Sequence, residues 1–209
     1  MASSTTSNLF SWFEATGIVT AVVFGAIVSF IKLFGKKKDS EQENKSFIDV
    51  HTQIHETLTE LRVKTNGARA QVIQFHNGEY FMDGVSMRKF SVTHESVEVG
   101  LTTDSERIKG LLCSMFLPLL NLVLENNAKI ISIYDIPYSF CRQFFEENNV
   151  TGFSVLPLKV KNQITGFILL QWCSDSHLDK AEPTLVKYEM EQAKSSIEVQ
   201  LASQKKGSI

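Results

Sequence analysis

Cysteine is scarce in this chain, and its spacing argues against two kinds of stabilised fold. The three cysteines, Cys113, Cys141 and Cys173, lie far apart, in segments that we predict to be helices and a strand. There is no CxxC pair and no close Cys/His pair, so neither a disulfide framework nor a zinc site of the usual spacing is expected. The thiols are therefore predicted to be reduced and to lie in the core.

An excess of charge of either sign is also missing. The 209 residues carry 21 basic and 23 acidic side chains, a formal net charge of −2. No overall field would gather phosphate groups along a strand, so we expect no nucleic-acid partner.

Patterns typical of catalysis are lacking as well. His94 and Glu95 are neighbours on a predicted strand, so their side chains point to opposite faces and cannot easily act together. Cys113 and Cys141 lie in apolar segments where a thiol stays protonated. We therefore expect no enzyme activity.

Basic residues are absent before the first apolar run, which begins at Ile18. A secretory signal peptide carries positive charge before its apolar stretch, so this interpretation is disfavoured. The run from Ile18 to Phe34 is about 17 residues, or about 26 Å as a helix, which is just enough to span a bilayer. A buried soluble helix is the alternative. The residues assigned to a membrane anchor are Ile18, Val22, Phe24, Ile27, Phe30, Lys32, Lys36, Lys37 and Lys38.

The basic residues that flank this run all follow it, which sets the predicted orientation. By the positive-inside rule the N-terminus lies outside and the large domain lies in the cytoplasm, as in a single-pass protein of the inner membrane. We predict three parts: the membrane anchor at 1–38, a polar hinge and stalk helix at 39–65, and a folded domain at 66–205.

The stalk helix has apolar residues in a 4-3-4-3 spacing. This spacing is typical of a parallel two-helix coiled coil, which would make the chain a homo-oligomer, or of a helix lying on its own domain. His51 and His55 are four residues apart, as metal ligands on a helix often are, but no third ligand is near in sequence, so we expect no metal site. The positions in this spacing are Phe47, His51, Ile54, Leu58 and Leu61, of which all but His51 are apolar.

Hydrophobic periodicity and turn residues predict the elements of the domain. Two hairpins are expected, one turning at Asn77-Gly78 and the other at Lys161-Asn162, and Pro118 is expected to kink a long helix. The predicted strands are Ala68–His76, Val85–His94, Lys129–Ile133, Gly152–Leu158 and Gln163–Trp172, and the predicted helices are Glu106–Asn126, Phe140–Asn148 and Pro183–Ser203.

This order of elements resembles that of GAF domains, the small-molecule-sensing relatives of PAS domains. The segments NAKIISIYDI and VTGFSVLPLKVKNQITGFILLQW, between Asn127 and Cys173, carry the resemblance best. It implies an α+β fold with a mostly antiparallel central sheet flanked by helices. No chromophore-attachment signature is present, so the resemblance names no cofactor.

The resemblance also implies a ligand pocket between the sheet and the helices and loops beside it. A cluster of hydrogen-bonding side chains around a glycine-containing turn could hold a nucleotide or another anionic small molecule, with Arg88 as the charge partner. The candidate residues are His76, Asn77, Tyr80, Ser86, Arg88, His94, Tyr134 and Asp135. Many GAF domains bind no ligand and act as dimerisation modules, so this possibility stays open.

Two functions follow as expectations. The first is a membrane-anchored sensory or scaffold protein that binds a small molecule, an unidentified protein partner, or both. The second is a lysis protein, because one membrane helix followed by an α+β domain is similar in layout to the holins of T-even-type phages. Those holins have basic residues before the membrane helix and export the globular domain, whereas here the lysines follow the apolar run.

Overall fold

The computed structural model describes residues 47–80 and 86–204 of the chain. The predicted anchor from Ile18 to Phe34 and the hinge before residue 47 lie outside these residues, so both stay predictions. Contacts divide the chain into two units, residues 1–48 and residues 49–209, and the architecture below is that of the second unit. Within the described ranges, no helix combines the length and the apolar character needed to cross a bilayer.

The described residues form six strands and five α-helices. Helix α1 covers residues 47–64 and is followed by Asn66, whose positive φ of 53° is typical of the residue after a helix end. The strands are β1 (Arg69–Tyr80), β2 (Ser86–Val97), β3 (Leu111–Leu112), β4 (Ile131–Ser132), β5 (Gly152–Val160) and β6 (Gln163–Trp172). The remaining helices are α2 (Leu117–Glu125), α3 (Phe140–Glu147), α4 (Asp175–Leu178) and α5 (Pro183–Ser203).

One antiparallel sheet joins the six strands in the order β3-β2-β1-β6-β5-β4. The α+β class and the antiparallel pairing of the strands in both predicted hairpins are thus confirmed. Lys161 and Asn162, with φ of 51° and 66°, form the turn between β5 and β6. Two successive residues with positive φ match the twist of the strands that they connect.

The sheet is covered on both faces, and each face has its own hydrophobic cluster. Helices α1 and α5 pack on one face, where Val72, Leu156 and Ile168 meet Met190 and Ile197. Helices α2 and α3 cover the other face, and that cluster contains Ile73, Phe90, Phe116, Phe153, Phe167 and Leu169. Because β5 and β6 are buried on both faces, their sequences are almost continuously apolar.

The apolar stripe of α1 packs on the sheet. Ile54, Leu58 and Leu61 are 0%, 0% and 2% exposed and belong to the same cluster as the buried side of α5. The 4-3-4-3 spacing allowed either a coiled coil or a helix that packs on its own domain. These three residues pack on their own domain.

Gly166 in β6 lies where two strands approach closely. A Cβ atom at this position would be 2.1 Å from the carbonyl oxygen of Ile73 in β1. No side chain fits in that space unless a strand moves, so glycine is required for the pairing of β1 with β6.

The predicted long helix Glu106–Asn126 is wrong in its first half. A turn, strand β3 and a 3-10 turn at Cys113–Phe116 occupy this stretch, and α2 begins only at Leu117. Pro118 therefore lies in the first turn of α2 and causes no kink. Proline has no N–H to donate, and the first turn is where a helix needs none from its own backbone.

The first hairpin also differs from its prediction. Asn77-Gly78 does not end β1, which continues to Tyr80, and β2 extends to Val97 instead of ending at His94. The pairing of the two strands shifts register between Asn77 and Tyr80, so the turn dipeptide produces an irregularity within the ladder.

Candidate ligand-binding site

Five of the eight predicted ligand-binding residues lie together at the outer end of the β1–β2 hairpin. The register places Asn77 opposite Arg88 and Tyr80 opposite Ser86, beyond Gln74, where the pairing of β1 with β6 ends. The side chains of Asn77, Tyr80 and Arg88 are exposed. The fifth, His76, is also exposed, and its Nε2 lies 2.9 Å from the Ser91 hydroxyl. The four of these side chains that the structure describes form an open, exposed surface.

His94 lies apart from this group, against α1. Its Nε2 is 2.6 Å from Nδ1 of His51, and the two rings stack with centroids 4.8 Å apart. Burial, together with the nearby His51 and His55, lowers the pKa of His94 to about 4. His51 and His55 thus have a third histidine near them in space, which their spacing in the sequence does not show. Even so, no three His, Cys, Asp or Glu residues within the described ranges are arranged to hold a metal ion.

Tyr134 and Asp135 form a third location, next to β4 at the far edge of the sheet. Strands β1, β6 and β5 separate them from β2, which carries Arg88 and His94. The eight residues thus occupy three places, and the structure does not bring them into one pocket. Sequence order cannot show this, because β6 enters the sheet between β1 and β5.

Asp135 lines a groove of about 480 Å³ that sequence reasoning missed. This volume is within the range typical of small-molecule sites. Helix α2 forms one wall and the chain on either side of β4 forms the other. The lining residues are Pro118, Asn121, Leu122, Lys129, Ile130, Ile131, Asp135, Ile136 and Pro137. The signal in the sequence is the short segment IPYSF directly after Asp135, whose Ile136 and Pro137 line the groove.

A buried polar cluster holds the loop after β2 against the sheet. Arg69 donates from Nε to the Thr102 carbonyl at 3.1 Å, and from Nη1 to Gln171 Oε1 at 3.4 Å. The Glu95 carboxylate accepts from the Asp104 backbone N–H at 3.0 Å and from Gln71 Nε2 at 2.8 Å. Glu95 and His94 therefore lie on opposite faces of β2, as their adjacency on a strand predicts.

Asp104 is the most confined carboxyl group of this cluster. Its side chain is fully buried, and Oδ2 lies 3.6 Å from Arg69 Nε, near enough for charge attraction but too far for a hydrogen bond. Burial raises the pKa of Asp104, with Arg69 opposing and Glu95 reinforcing the shift. The loss of hydration outweighs the attraction of the guanidinium, so this group favours its neutral form more than an exposed aspartate does.

The face of the sheet beneath α2 and α3 is filled by the chain's own side chains. Phe90, Phe116, Phe153 and Phe167 are at most 1% exposed, and Phe145 stacks on Phe153 with centroids 4.9 Å apart. The rings form a continuous edge-to-face and stacked set, which contributes packing energy beyond the area that it buries.

The three cysteines are free thiols, but only Cys141 is buried. Burial raises the pKa of Cys141 to about 11, so its thiol stays protonated at neutral pH. Cys113 and Cys173 are half-buried, which corrects the expectation that all three lie in the core. Arg69 Nη1 lies 3.1 Å from Cys173 Sγ, but burial still raises the pKa of Cys173.

No protein-family model matches the sequence, and no curated protein matches it. Solved structures do match the fold. A phycocyanobilin-bound GAF domain from a cyanobacterial phytochrome aligns over 78% of this chain and 92% of its own length, with 15% identity and a TM-score of 0.50. The chain has a GAF-like fold.

Two other solved structures agree with this assignment. The cyanobacteriochrome receptor PixJ aligns over 74% of this chain and 97% of its own length, with 14% identity and a TM-score of 0.51. The chromophore-binding domain of a bacteriophytochrome from R. palustris aligns over 79% of this chain and 63% of its own length, with 14% identity and a TM-score of 0.51. At these identities the GAF-like fold is what is shared. The layout similarity to T-even-type holins gains no support from these comparisons.

Proposed function

We propose that the chain is a membrane-anchored sensory or scaffold protein whose GAF-like domain binds a small molecule, a protein partner, or both, without catalysing a reaction. The observation that carries this proposal is the position of α1, which lies beside α5 on one face of the sheet. The predicted anchor and hinge precede α1 in the sequence. A change at the sheet can therefore reach α1, the helix that follows them, through packed side chains.

The contacts between α1 and α5 support this route. The hydroxyl groups of Thr57 and Ser196 are 3.2 Å apart, and Lys64 Nζ lies 3.3 Å from Glu189 Oε2. Below these polar contacts, the apolar side of each helix lies in one cluster with the sheet. A helix held in this way moves with the sheet instead of independently of it.

The way in which the sheet is covered supports a proposal for the size of the ligand. The matching cyanobacterial phytochrome domain is bound to phycocyanobilin. In this chain, phenylalanine rings occupy the space between the sheet and α2 and α3. This packing favours a smaller ligand bound at the edge of the fold, or a protein partner, over a bilin held beneath the helices.

Self-association is part of the proposal. Because Ile54, Leu58 and Leu61 are used inside the domain, a homo-oligomer through the stalk would use the outer side of α1, where Val63 is 60% exposed. Anchoring supports such contacts, because it confines the copies to one surface and raises their effective concentration.

Membrane location is the part of the proposal that an experiment can test most directly. Full-length protein carrying a C-terminal tag is expressed in a bacterium, and its membranes are washed at high salt and collected by ultracentrifugation. We expect the protein in the pellet, with the tag digested by protease only after the inner membrane is opened.

A matched variant separates anchoring from folding. Val22→Arg combined with Ile27→Arg places two charges inside the apolar run and should release a folded protein into the supernatant. Wild-type protein that stays in the supernatant, or a tag digested in cells with an intact inner membrane, would overturn the proposed location and orientation.

A further inference from the structure

The groove between α2 and the chain around β4 has walls that are held in place from behind. On α2, Leu119 and Val123 are buried in the sheet-facing cluster, while Leu122 faces the groove. On the other wall, Ile131 pairs with Phe153 in the ladder of β4 with β5. Both walls are therefore supported by the core, and a ligand would not need to order them on binding.

The groove offers an apolar floor with two kinds of charge at its edge. Pro118, Leu122, Ile130, Ile136 and Pro137 supply the apolar surface. Lys129 is already paired, since its Nζ lies 2.8 Å from Glu125 Oε2. Asp135 has no ion pair with any residue of the described ranges, so the free charge of this groove is negative.

The first basic residue after Asp135 in the sequence is already paired elsewhere. The Arg142 guanidinium lies 5.1 Å from the centre of the exposed Tyr134 ring, and Arg142 Nε lies 2.8 Å from Glu146 Oε1. Arg142 is therefore paired with Glu146 and not with Asp135, and neither Arg142 nor Tyr134 is among the residues that line the groove.

We infer that this groove binds a small organic molecule with an apolar body and a single cationic group. The apolar body lies on Leu122, Ile136 and the two prolines, and the cation pairs with the Asp135 carboxylate. This inference rests on the proposed sensory function and assigns a site and a ligand class to it. An anionic ligand is disfavoured because it would meet Asp135 directly and would have to displace Glu125 from Lys129.

Three matched probes test this ligand class. 4-Phenylbutylammonium, 4-phenylbutanol and 4-phenylbutanoate share one apolar body and differ only in the charge of the head group. Binding to full-length protein in lipid nanodiscs is measured by ligand-observed NMR, with empty nanodiscs as the blank. We expect the ammonium to bind about two- to fivefold more tightly than the alcohol, as for a partly exposed ion pair, and the carboxylate to bind most weakly.

Two variants assign the binding to the groove. Asp135→Asn should remove the difference between the ammonium and the alcohol and leave the affinity for the alcohol unchanged. Asn121→Trp fills the groove from an exposed position and should weaken all three probes. Asp179→Asn is the matched control, because this exposed aspartate lies at the end of α4 and does not line the groove.

Three results would overturn the inference. The first is an NMR binding signal of the ammonium no larger than that in empty nanodiscs, which would favour a protein partner over a small molecule at this groove. The second is equal affinity for the three probes, and the third is an Asp135→Asn variant that keeps the preference for the cation. None of them affects the location measured by fractionation, so failure of this site and failure of the membrane proposal are separate outcomes.

Discussion

The stacked pair of His51 and His94 joins α1 to β2 through two imidazole nitrogens 2.6 Å apart. One nitrogen must donate and the other accept, so the contact needs at least one neutral ring. Protonation of both rings would place two positive charges in stacked contact, with His55 as a third nearby base. The contact between helix and strand therefore depends on proton concentration.

We predict that acid weakens the fold through His94. The folded protein holds the pKa of His94 near 4, while an unfolded chain has an ordinary value near 6.5. As pH falls through this range, the unfolded state takes up the proton first. Stability is thus full above about pH 6.5 and declines toward pH 4, by at most about 3 kcal/mol from this group. Urea unfolding of wild type and His94→Gln at several pH values measures the difference.

His76→Gln is the control for this series, because His76 is exposed and contacts Ser91 outside the α1 interface. Its pH dependence should match that of wild type. If His94→Gln keeps the full acid dependence, the loss of stability arises from other groups and this interpretation of His94 is wrong.

Single residues were the hardest level to predict from sequence. The resemblance to GAF domains grouped His94 with His76 and Arg88, although His76 lies on β1 and the other two lie on β2. Alternation and a register shift between Val72 and Ile73 turn His94 toward α1 instead. Asp104 gave no signal at all, since its burial depends on a loop that folds back onto Arg69 and Glu95.

Strand β6 shows how one element depends on a missing side chain. Gly166 pairs with Gln74 of β1 on one side and with Leu158 of β5 on the other, at the centre of the sheet. The backbone of β1 occupies the position where any other residue would place its Cβ atom.

Gly166→Ala should therefore destabilise the domain by about 1–3 kcal/mol, as is typical when atoms are added to a filled interior. Thermal or urea unfolding gives the size of the effect. Thr165→Ala is the neighbouring control, because it removes a buried hydroxyl that has no hydrogen-bond partner and should change stability much less. If the Gly166→Ala variant keeps the wild-type unfolding midpoint, β1 and β6 can separate at little cost in free energy.

Elements with a long repeating pattern were predicted well. Helix α5 has the predicted bounds, from Pro183 to Ser203, and β6 runs from Gln163 to Trp172 as expected. The stretch from Glu106 failed because its first apolar residues fit a helical spacing over only a few positions. Pairing of Lys89 with Leu112 then draws that stretch into the sheet as β3.

At the scale of the whole molecule, α1 belongs to the domain that it precedes. Its apolar side is buried with the sheet and α5, so the division of stalk from domain near residue 65 does not match the packing of the core. The GAF-like order of elements could be predicted from the sequence, but the separation of the candidate residues could not. That separation depends on β6 lying between β1 and β5.

Leu58→Ala should lower the free energy of unfolding of the domain by about 2–5 kcal/mol, because it leaves a cavity beneath α1. Val63→Ala, on the exposed side of the same helix, should have little effect. Both are measured by urea unfolding at two protein concentrations. The contrary result is a Leu58→Ala variant whose self-association changes while the free energy of unfolding stays the same. That result would indicate that α1 forms a coiled coil instead of packing on its own domain.

Pairing of β1 with β6 joins Arg69 to Gln171, 102 residues later in the chain. During synthesis the first hairpin leaves the ribosome well before β6 has been translated. Until then, the backbone N–H and C=O groups on one edge of β1 have no partner strand. A nascent chain halted before Gln163 would present this apolar edge to any other extended segment. The pace of translation between the two strands therefore sets how long the growing polypeptide is exposed to aggregation.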